Sequence, residues 1–249
     1  MSLKKLAAAA AFASALMGFG ASAHATPVAV ELALLVDVSG SVSSAEYALQ
    51  KSGYVNAFRD ATLQANIATL TGGIAVTYIE WSGFNQQSQL VNWFQITDAA
   101  SANAFADLLA ATSRAFSGNT AVASGINFVT PQFATNGFEG TRKIIDVSGD
   151  GADNNSPIST TSARDAALLA GVNAINGLPI LGETGLEAWY NNNVKGGPGA
   201  FVLPAASFAD FDAAVKSKIG REIQEVPEPA SLALMFLGLM GLGFMRRKS

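Results

Sequence analysis

A long apolar run at residues 28–36 ends in the polar segment Asp37-Val38-Ser39-Gly40-Ser41, and this junction constrains the fold most strongly. A nearly continuous run of Val, Leu and Ala is typical of a buried parallel strand, and ligand sites of α/β sheets form at the carboxyl ends of such strands. Here that end carries one carboxylate and two hydroxyls, which are oxygen donors suited to Mg²⁺. Turns rich in Asp and Ser also cap helices, so the pentapeptide alone fits either a cation site or an ordinary loop.

Segments typical of strands and helices alternate from Thr26 to about Glu225. Strands are expected at residues 28–38, 74–81, 89–96, 141–148, 173–181 and 200–204, and helices at residues 44–63, 99–112, 120–130, 159–170 and 208–223. This alternation predicts βαβ crossovers and therefore one α/β domain with a mostly parallel, doubly wound sheet and helices on both faces. The short turn at residues 82–85 fits an antiparallel hairpin at one edge.

Two later loops have the same polar character as the first. Ser117-Gly118-Asn119-Thr120-Ala121 opens a helical stretch, and Ser148-Gly149-Asp150-Gly151 follows an apolar strand. Taken singly, Thr120 is better explained as an N-cap and Asp150 as a turn residue. The three loops together argue against coincidence and give five candidate metal-binding residues: Asp37, Ser39, Ser41, Thr120 and Asp150.

The order of these loops resembles the metal-ion-dependent adhesion site (MIDAS) of von Willebrand factor type A (vWA) domains. In that site D-x-S-x-S is followed by a threonine loop and an aspartate–glycine loop. The resemblance implies a vWA/Rossmann-like fold with one antiparallel edge strand and a bound Mg²⁺, with Mn²⁺ or Ca²⁺ as alternatives. Ser39 and Ser41, with Thr120 as a further candidate, would bind through hydroxyls, while Asp37 and Asp150 would hold coordinated waters. One open coordination position would then accept a carboxylate from a partner.

Three further runs resemble an uncharacterised bacterial family of secreted vWA-like domains. They are the Ser-Gly-Asp-Gly-x-x-Asn-Asn run at residues 148–155, the glycine-rich run at residues 194–201, and the closing segment at residues 208–223. This likeness covers nearly the whole body of the chain. It supports the fold and leaves the activity open, because the activity of that family is not established.

Residues 1–25 have the organisation of a secretory signal peptide. Lys4 and Lys5 precede an apolar stretch at residues 6–19, and small residues then offer cleavage sites at Ala23 and Ala25. The alternative is a first helix of the fold. We expect export.

The other end of the chain, residues 226–249, resembles the PEP-CTERM sorting tail of Gram-negative bacteria. Pro227-Glu228-Pro229 leads into a mostly apolar stretch at residues 230–245 and then into a basic end, residues 246–248. The resemblance implies recognition and cutting by an exosortase-type enzyme, transient anchoring in the inner membrane by this helix, and delivery to the cell surface or the exopolysaccharide matrix. The alternative is a plain membrane anchor, although the apolar stretch is short for a bilayer span.

Composition excludes several classes of function. The chain contains no cysteine, so disulfides, zinc–thiolate sites and cysteine nucleophiles are excluded. The single histidine, His24, lies in the predicted cleavage region, which leaves no Ser-His-Asp triad and no histidine-ligated metal. The formal net charge of −4 becomes more negative once the basic ends are set aside, so nucleic acid is not an expected partner.

Some other polar and aromatic residues are predicted to have structural roles only. Asp146 has the wrong parity on its strand to join Asp150. Turn formation is expected for Asp153, Asn154 and Asn155, and packing for Trp81 and Trp93.

Three functional classes remain open. The first is a surface or matrix adhesion protein that binds an acidic group on a protein or an exopolysaccharide through Mg²⁺. The second is a metal-dependent hydrolase or phosphotransfer enzyme, which is disfavoured because Ser39 stands where a second carboxylate is usual and because Lys143 begins its strand. The third is a structural matrix protein that the metal only stabilises.

Overall fold

The computed structural model describes residues 24–224, and a five-stranded sheet of order β3-β2-β1-β4-β5 forms its centre. The strands are β1 (Thr26–Asp37), β2 (Ile74–Trp81), β3 (Gln87–Ile96), β4 (Phe138–Gly149) and β5 (Ala174–Pro179). β1 pairs in parallel with β2 and β4, and β4 pairs in parallel with β5. Only the β2–β3 edge pair of this described sheet is antiparallel. The predicted fold class is confirmed.

Helices cover both faces of the sheet. They are α1 (Ser44–Arg59), α2 (Ala61–Ala68), α3 (Ala99–Ala111), α4 (Val122–Val129), α5 (Thr160–Leu169), α6 (Leu186–Asn193) and α7 (Phe211–Gln224). Apolar residues of α1, α2, α3 and α7 share one core with Leu32, Leu34 and Val36 of β1. Those of α4, α5 and α6 share a second core with Ala33 and Leu35. Because side chains alternate along a strand, β1 supplies both cores from one apolar run.

The register of β1 sets the position of the candidate site. Asp37 lies opposite Trp81 at the end of β2, and Val36 lies opposite Ser148 near the end of β4. The carboxyl ends of three parallel strands therefore meet at one edge of the sheet, where the polar loops begin.

Two predicted elements differ from the structure. The helix expected at residues 44–63 breaks at Asp60, whose extended backbone ends α1 and whose carboxylate caps α2 by accepting the N–H groups of Thr62 and Leu63. The strand expected at residues 200–204 is wrong. Val202 and Ala205 make only isolated bridges, to Gly177 and Ile180, because Pro179 between those two partners has no N–H to donate to the Leu203 carbonyl.

Within residues 24–224, no helix combines the length and the apolar character that a membrane crossing requires. The predicted signal peptide, apart from its last two residues, and the predicted sorting tail lie outside the described residues.

Candidate functional site

Asp37, the last residue of β1, organises the first loop of the site. Its Oδ1 accepts a 2.7 Å hydrogen bond from the backbone N–H of Ser39, and its side chain is fully buried. Its Oδ2 is also buried and has no hydrogen-bond partner among the described residues. One oxygen of this carboxylate therefore shapes the loop, while the other is buried without a partner in the described part of the chain.

A chain of contacts joins this loop to the loop after β4. The hydroxyl oxygens of Ser39 and Ser41 lie 3.1 Å apart, and the Ser41 hydroxyl donates a 2.7 Å hydrogen bond to Oδ1 of Asp150. Four of the five predicted residues are thus brought together, since Asp37 binds the backbone of Ser39.

Thr120, the fifth predicted residue, is held against the loop that carries Asp150. Its backbone N–H donates to Oδ1 of Asn154 at 3.1 Å, and its carbonyl accepts the N–H groups of Asn154 and Asn155. Its buried side chain lines the same cavity as Ser41 and Asp150. The structure therefore places Thr120 in the same cavity wall as Ser41 and Asp150, and the hydrogen-bonded chain links these two to Ser39 and Asp37.

Gly149 leaves space for the Asp37 carboxylate. A Cβ atom at this position would lie 2.7 Å from Oδ2 of Asp37 and 2.9 Å from the hydroxyl oxygen of Tyr190. Like Oδ2 of Asp37, this hydroxyl is buried without a hydrogen-bond partner among the described residues. Two such buried polar atoms therefore lie close to a position that only glycine can occupy. Such an arrangement is compatible with a bound cation and its waters.

Burial also changes the electrostatics of the two carboxylates. It raises the pKa of Asp37 to about 7, with the charge of Asp150 adding to the rise and the Ser39 N–H opposing it. Burial likewise raises the pKa of Asp150 above its usual value. A divalent cation would favour the charged form of both groups and offset this cost.

Arg114 and Glu80 hold the loops in place, and sequence analysis did not identify either. The Arg114 guanidinium donates from Nη2 to the carbonyls of Val38 and Ser39 at 2.9 and 2.8 Å. Buried Glu80 accepts the N–H of Ala115 at 2.7 Å. The one available signal was a glutamate near the end of an otherwise apolar strand.

The structure separates Asp146 from the site, as the parity argument predicted. Its carboxylate lies 2.7 Å from the Nζ of buried Lys218, on the face of the sheet that α7 covers. Asp153 accepts the N–H groups of Asn155 and Ser156, so the predicted turn-forming role is confirmed for this residue.

The two tryptophans of the β2–β3 hairpin pack as predicted. Trp81 is fully buried, and Trp93 packs edge-on against Phe133. Neither ring belongs to the cavity at the candidate site.

Among residues 24–224, no group of three or more His, Cys, Asp or Glu side chains is arranged so that these side chains alone could hold a metal ion. The candidate site instead combines two carboxylates with three hydroxyls. Such a donor set suits a hard cation that prefers oxygen.

Comparison with sequence families gives two matches. Residues 27–227 match the family described as Protein of unknown function (DUF1194), and residues 225–248 match the PEP-CTERM protein-sorting motif. The sorting motif implies an exported protein with a sorting tail. No curated protein matches the sequence.

Solved structures share the fold at low sequence identity. Proximal thread matrix protein 1 from the mussel byssus has a TM-score of 0.58 at 16% identity, over 78% of this chain and 48% of that chain. The pilus adhesin SpaC from Lactobacillus rhamnosus GG, in its open conformation, has a TM-score of 0.56 at 16% identity, over 78% of this chain and 30% of that chain. A von Willebrand factor type A protein from Catenulispora acidiphila has a TM-score of 0.52 at 14% identity, over 78% of this chain and 42% of that chain.

A second structure of the mussel protein is described as having a zinc-occupied MIDAS motif, and it has a TM-score of 0.55 at 13% identity, over 80% of this chain and 47% of that chain. The chain spans less than half the length of each of these solved chains. The likeness shows a vWA-like fold.

Proposed function

The chain belongs to the DUF1194 family of proteins of unknown function, and we propose that it is an exported binding protein of the cell surface or extracellular matrix. It binds a divalent cation at Asp37, Ser39, Ser41, Thr120 and Asp150, and it engages an acidic group on a protein or an exopolysaccharide. Mg²⁺ is the proposed cation, with Mn²⁺ or Ca²⁺ as alternatives.

One observation carries this proposal. The hydroxyls of Ser39 and Ser41 and the carboxylate of Asp150 form a continuous chain, beside a buried Asp37 oxygen that has no hydrogen-bond partner among the described residues. A buried, unpartnered carboxylate oxygen is costly unless a ligand satisfies it. The zinc-occupied MIDAS motif described for the mussel protein supports a divalent cation on this fold.

The residues have distinct proposed roles. Ser39, Ser41 and Thr120 bind the cation through neutral hydroxyls, and Asp37 and Asp150 orient those hydroxyls and hold bound water. With few direct anionic ligands, a bound Mg²⁺ would supply an electrophilic position that a partner carboxylate completes.

The proposal includes the organisation of the whole chain. Residues 1–25 form a signal peptide, residues 26–225 the binding domain, and residues 226–249 a sorting tail. The tail is processed by an exosortase-type enzyme and anchors the chain in the inner membrane until then. The destination is the surface or matrix of a Gram-negative bacterium, as the PEP-CTERM match supports.

We propose a binding protein rather than an enzyme. Phosphatase sites that open at a strand ending in Asp usually need a second carboxylate two residues later, and Ser39 stands there instead. Lys218 is not placed to act as a catalytic lysine beside Asp37. It is buried against Asp146 and Glu222 on the face of the sheet that α7 covers, whereas Asp37 packs towards Gly149 and Tyr190.

Calorimetric titration of Mg²⁺ and Mn²⁺ into the full chain tests the metal site. We expect one-site binding that is lost in Ser39→Ala/Ser41→Ala and in Asp150→Asn, with the fold retained by circular dichroism. Asp107→Asn changes the charge equally at an exposed position on α3 and should bind like the wild type. Absence of binding in the wild type, or equal binding in all variants, contradicts the proposal.

A further inference from the structure

The cavity at the candidate site carries charge of one sign. It has a volume of about 930 Å³ and contains Ser41, Thr120 and Asp150 in its wall. The acidic side chains among its lining residues are Glu46, Asp150, Asp153 and Glu183. No Lys, Arg or His occurs among the described residues that line it.

Glu46 and Glu183 are fixed beside the candidate metal site. Oε2 of Glu46 accepts the N–H of Ser43 at 2.8 Å, which completes the cap of α1. Oε2 of Glu183 accepts the N–H of Ala152 at 3.0 Å. These hydrogen bonds hold both carboxylates in the wall of the cavity, on either side of the Asp150 loop.

An apolar wall stands next to these acids. Leu49 and Leu181 line the cavity with 44% and 37% of their surface exposed, and Phe208 lies beside them in the wall. Large apolar side chains that are exposed together in a concave surface mark a place where another molecule binds.

From this combination, and resting on the proposed metal-dependent function, we propose that the cavity receives a polypeptide segment with an acidic residue between apolar and basic neighbours. The acidic residue completes the metal site, the apolar side chain packs on Leu49 and Leu181, and the basic side chain pairs with Glu46 or Glu183. A uronic-acid polysaccharide fits less well. Its further carboxylates would face the two fixed glutamates, and it has no apolar side chain for the wall.

The experiment uses the full chain saturated with Mg²⁺, after calorimetry has established metal binding. A phage library of random heptapeptides is selected in Mg²⁺ and, in parallel, in EDTA. Enriched peptides and polygalacturonate are then titrated against the protein by fluorescence polarisation and calorimetry, respectively. We expect Mg²⁺-dependent peptides in which Glu or Asp is flanked by apolar and basic residues, and at least about tenfold weaker binding of polygalacturonate per site.

Two double variants test the roles of the walls. Glu46→Gln/Glu183→Gln retains both backbone hydrogen bonds. It should weaken the binding of peptides that carry a basic residue several-fold, and so reduce the difference in affinity between these peptides and polygalacturonate. Leu49→Ser/Leu181→Ser should weaken the same peptides about tenfold. Leu108→Ser, at an equally exposed position on α3 outside the cavity, should have no effect.

The outcomes separate this inference from the proposed function. If Mg²⁺ binds but polygalacturonate binds as tightly as any peptide, or no Mg²⁺-dependent peptide is enriched, the polypeptide inference is overturned and the metal site stands. If Mg²⁺ does not bind the wild type, the proposed function fails and the inference fails with it.

Discussion

The hydroxyl of Ser41 donates a 2.7 Å hydrogen bond to Oδ1 of Asp150, which lies 109 residues further along the chain. The two residues follow β1 and β4, which pair in parallel over most of their length. The contact therefore depends on the register of the sheet, and the proposed metal site forms only when that sheet has formed.

Ser41→Ala should remove the stabilisation of the protein by Mg²⁺. A ligand that binds only the folded state adds about 2.7 kcal/mol at a concentration 100 times its Kd, and Ser41 is one of the proposed ligands. We expect Mg²⁺ to raise the melting temperature of the wild type and EDTA to reverse the rise, with little response in the variant. The exposed hydroxyl of Ser52 bonds only within α1, so Ser52→Ala is the control. Equal responses in both variants would argue against a role for Ser41.

Arg114→Lys should weaken metal binding without changing any proposed ligand. The guanidinium binds three carbonyls, those of Val38, Ser39 and Phe116, and a lysine ammonium cannot reproduce this planar arrangement. We expect about tenfold lower Mg²⁺ affinity by calorimetry and a loss of roughly 1–3 kcal/mol in the free energy of unfolding. Arg59→Lys alters a surface ion pair and should change neither quantity measurably. Wild-type affinity in Arg114→Lys would show that the loop keeps its shape unaided.

Gly149→Ala should disturb the site sterically. The new methyl group would lie 2.7 Å from Oδ2 of Asp37, so the carboxylate or the backbone must move. We expect a destabilisation of about 1–3 kcal/mol in chemical denaturation and loss of Mg²⁺ binding. Gly220→Ala on α7 meets no atom within 4 Å and should stabilise the protein by about 0.5–1 kcal/mol. Similar effects of the two substitutions would contradict this account of Gly149.

The sequence predicted the sheet, and the meeting of the polar loops at its edge, because the strands and the loops that follow them have clear local patterns. The apolar run that becomes β1 is long enough to predict a buried strand, and the polar loops stand directly after strands whose carboxyl ends must meet. The grouping of Ser39, Ser41 and Asp150 follows from that geometry. Oxygen donors that directly follow parallel strands therefore predict which side chains lie together, even when their individual contacts are unknown.

The parts that the sequence did not predict depend on distant partners. Nothing near Arg114 indicates that its guanidinium binds the first loop. Glu222 stands one helical turn after Lys218, but nothing in the sequence indicates that this pair is buried against Asp146 of β4. The break of the first helix at Asp60 was missed because apolar spacing continues past it, although the Asp60 carboxylate is a good N-cap.

Lys218→Met should be strongly destabilising. The Nζ of Lys218 lies 2.7 Å from Oδ1 of Asp146 and 2.6 Å from Oε1 of Glu222, and all three side chains are fully buried. Removal of the ammonium takes away the cation that lies between two buried acidic side chains, which costs roughly 3–5 kcal/mol. Urea denaturation measures this loss, and Lys216→Met, in a partly exposed pair, should cost less than about 1 kcal/mol.

A triple variant separates charge from packing in the same cluster. Asp146→Asn/Lys218→Met/Glu222→Gln removes every charge, so it should be more stable than Lys218→Met alone. If the triple variant is less stable, the cost of Lys218→Met comes from lost packing rather than from unpaired charge.

The stability of the protein should fall as the pH rises, and Glu222 should account for part of that fall. Burial raises the pKa of Glu222 from 4.5 to about 8, with the charge of Asp146 adding to the rise and Lys218 and Asn176 opposing it. Because the folded protein holds a proton that the unfolded chain releases, this contribution is complete below pH 4.5 and is lost as the pH rises through about 8. One proton gives a slope of at most about 1.4 kcal/mol per pH unit.

Urea denaturation in EDTA from pH 5 to 8 should show a steeper decline in the free energy of unfolding for the wild type than for Glu222→Gln. The Asp37 carboxylate, whose pKa burial also raises, is common to both proteins, so its contribution cancels in the difference. Glu187→Gln, at an exposed position on α6, should decline like the wild type, and identical slopes in all three proteins would remove Glu222 from the explanation.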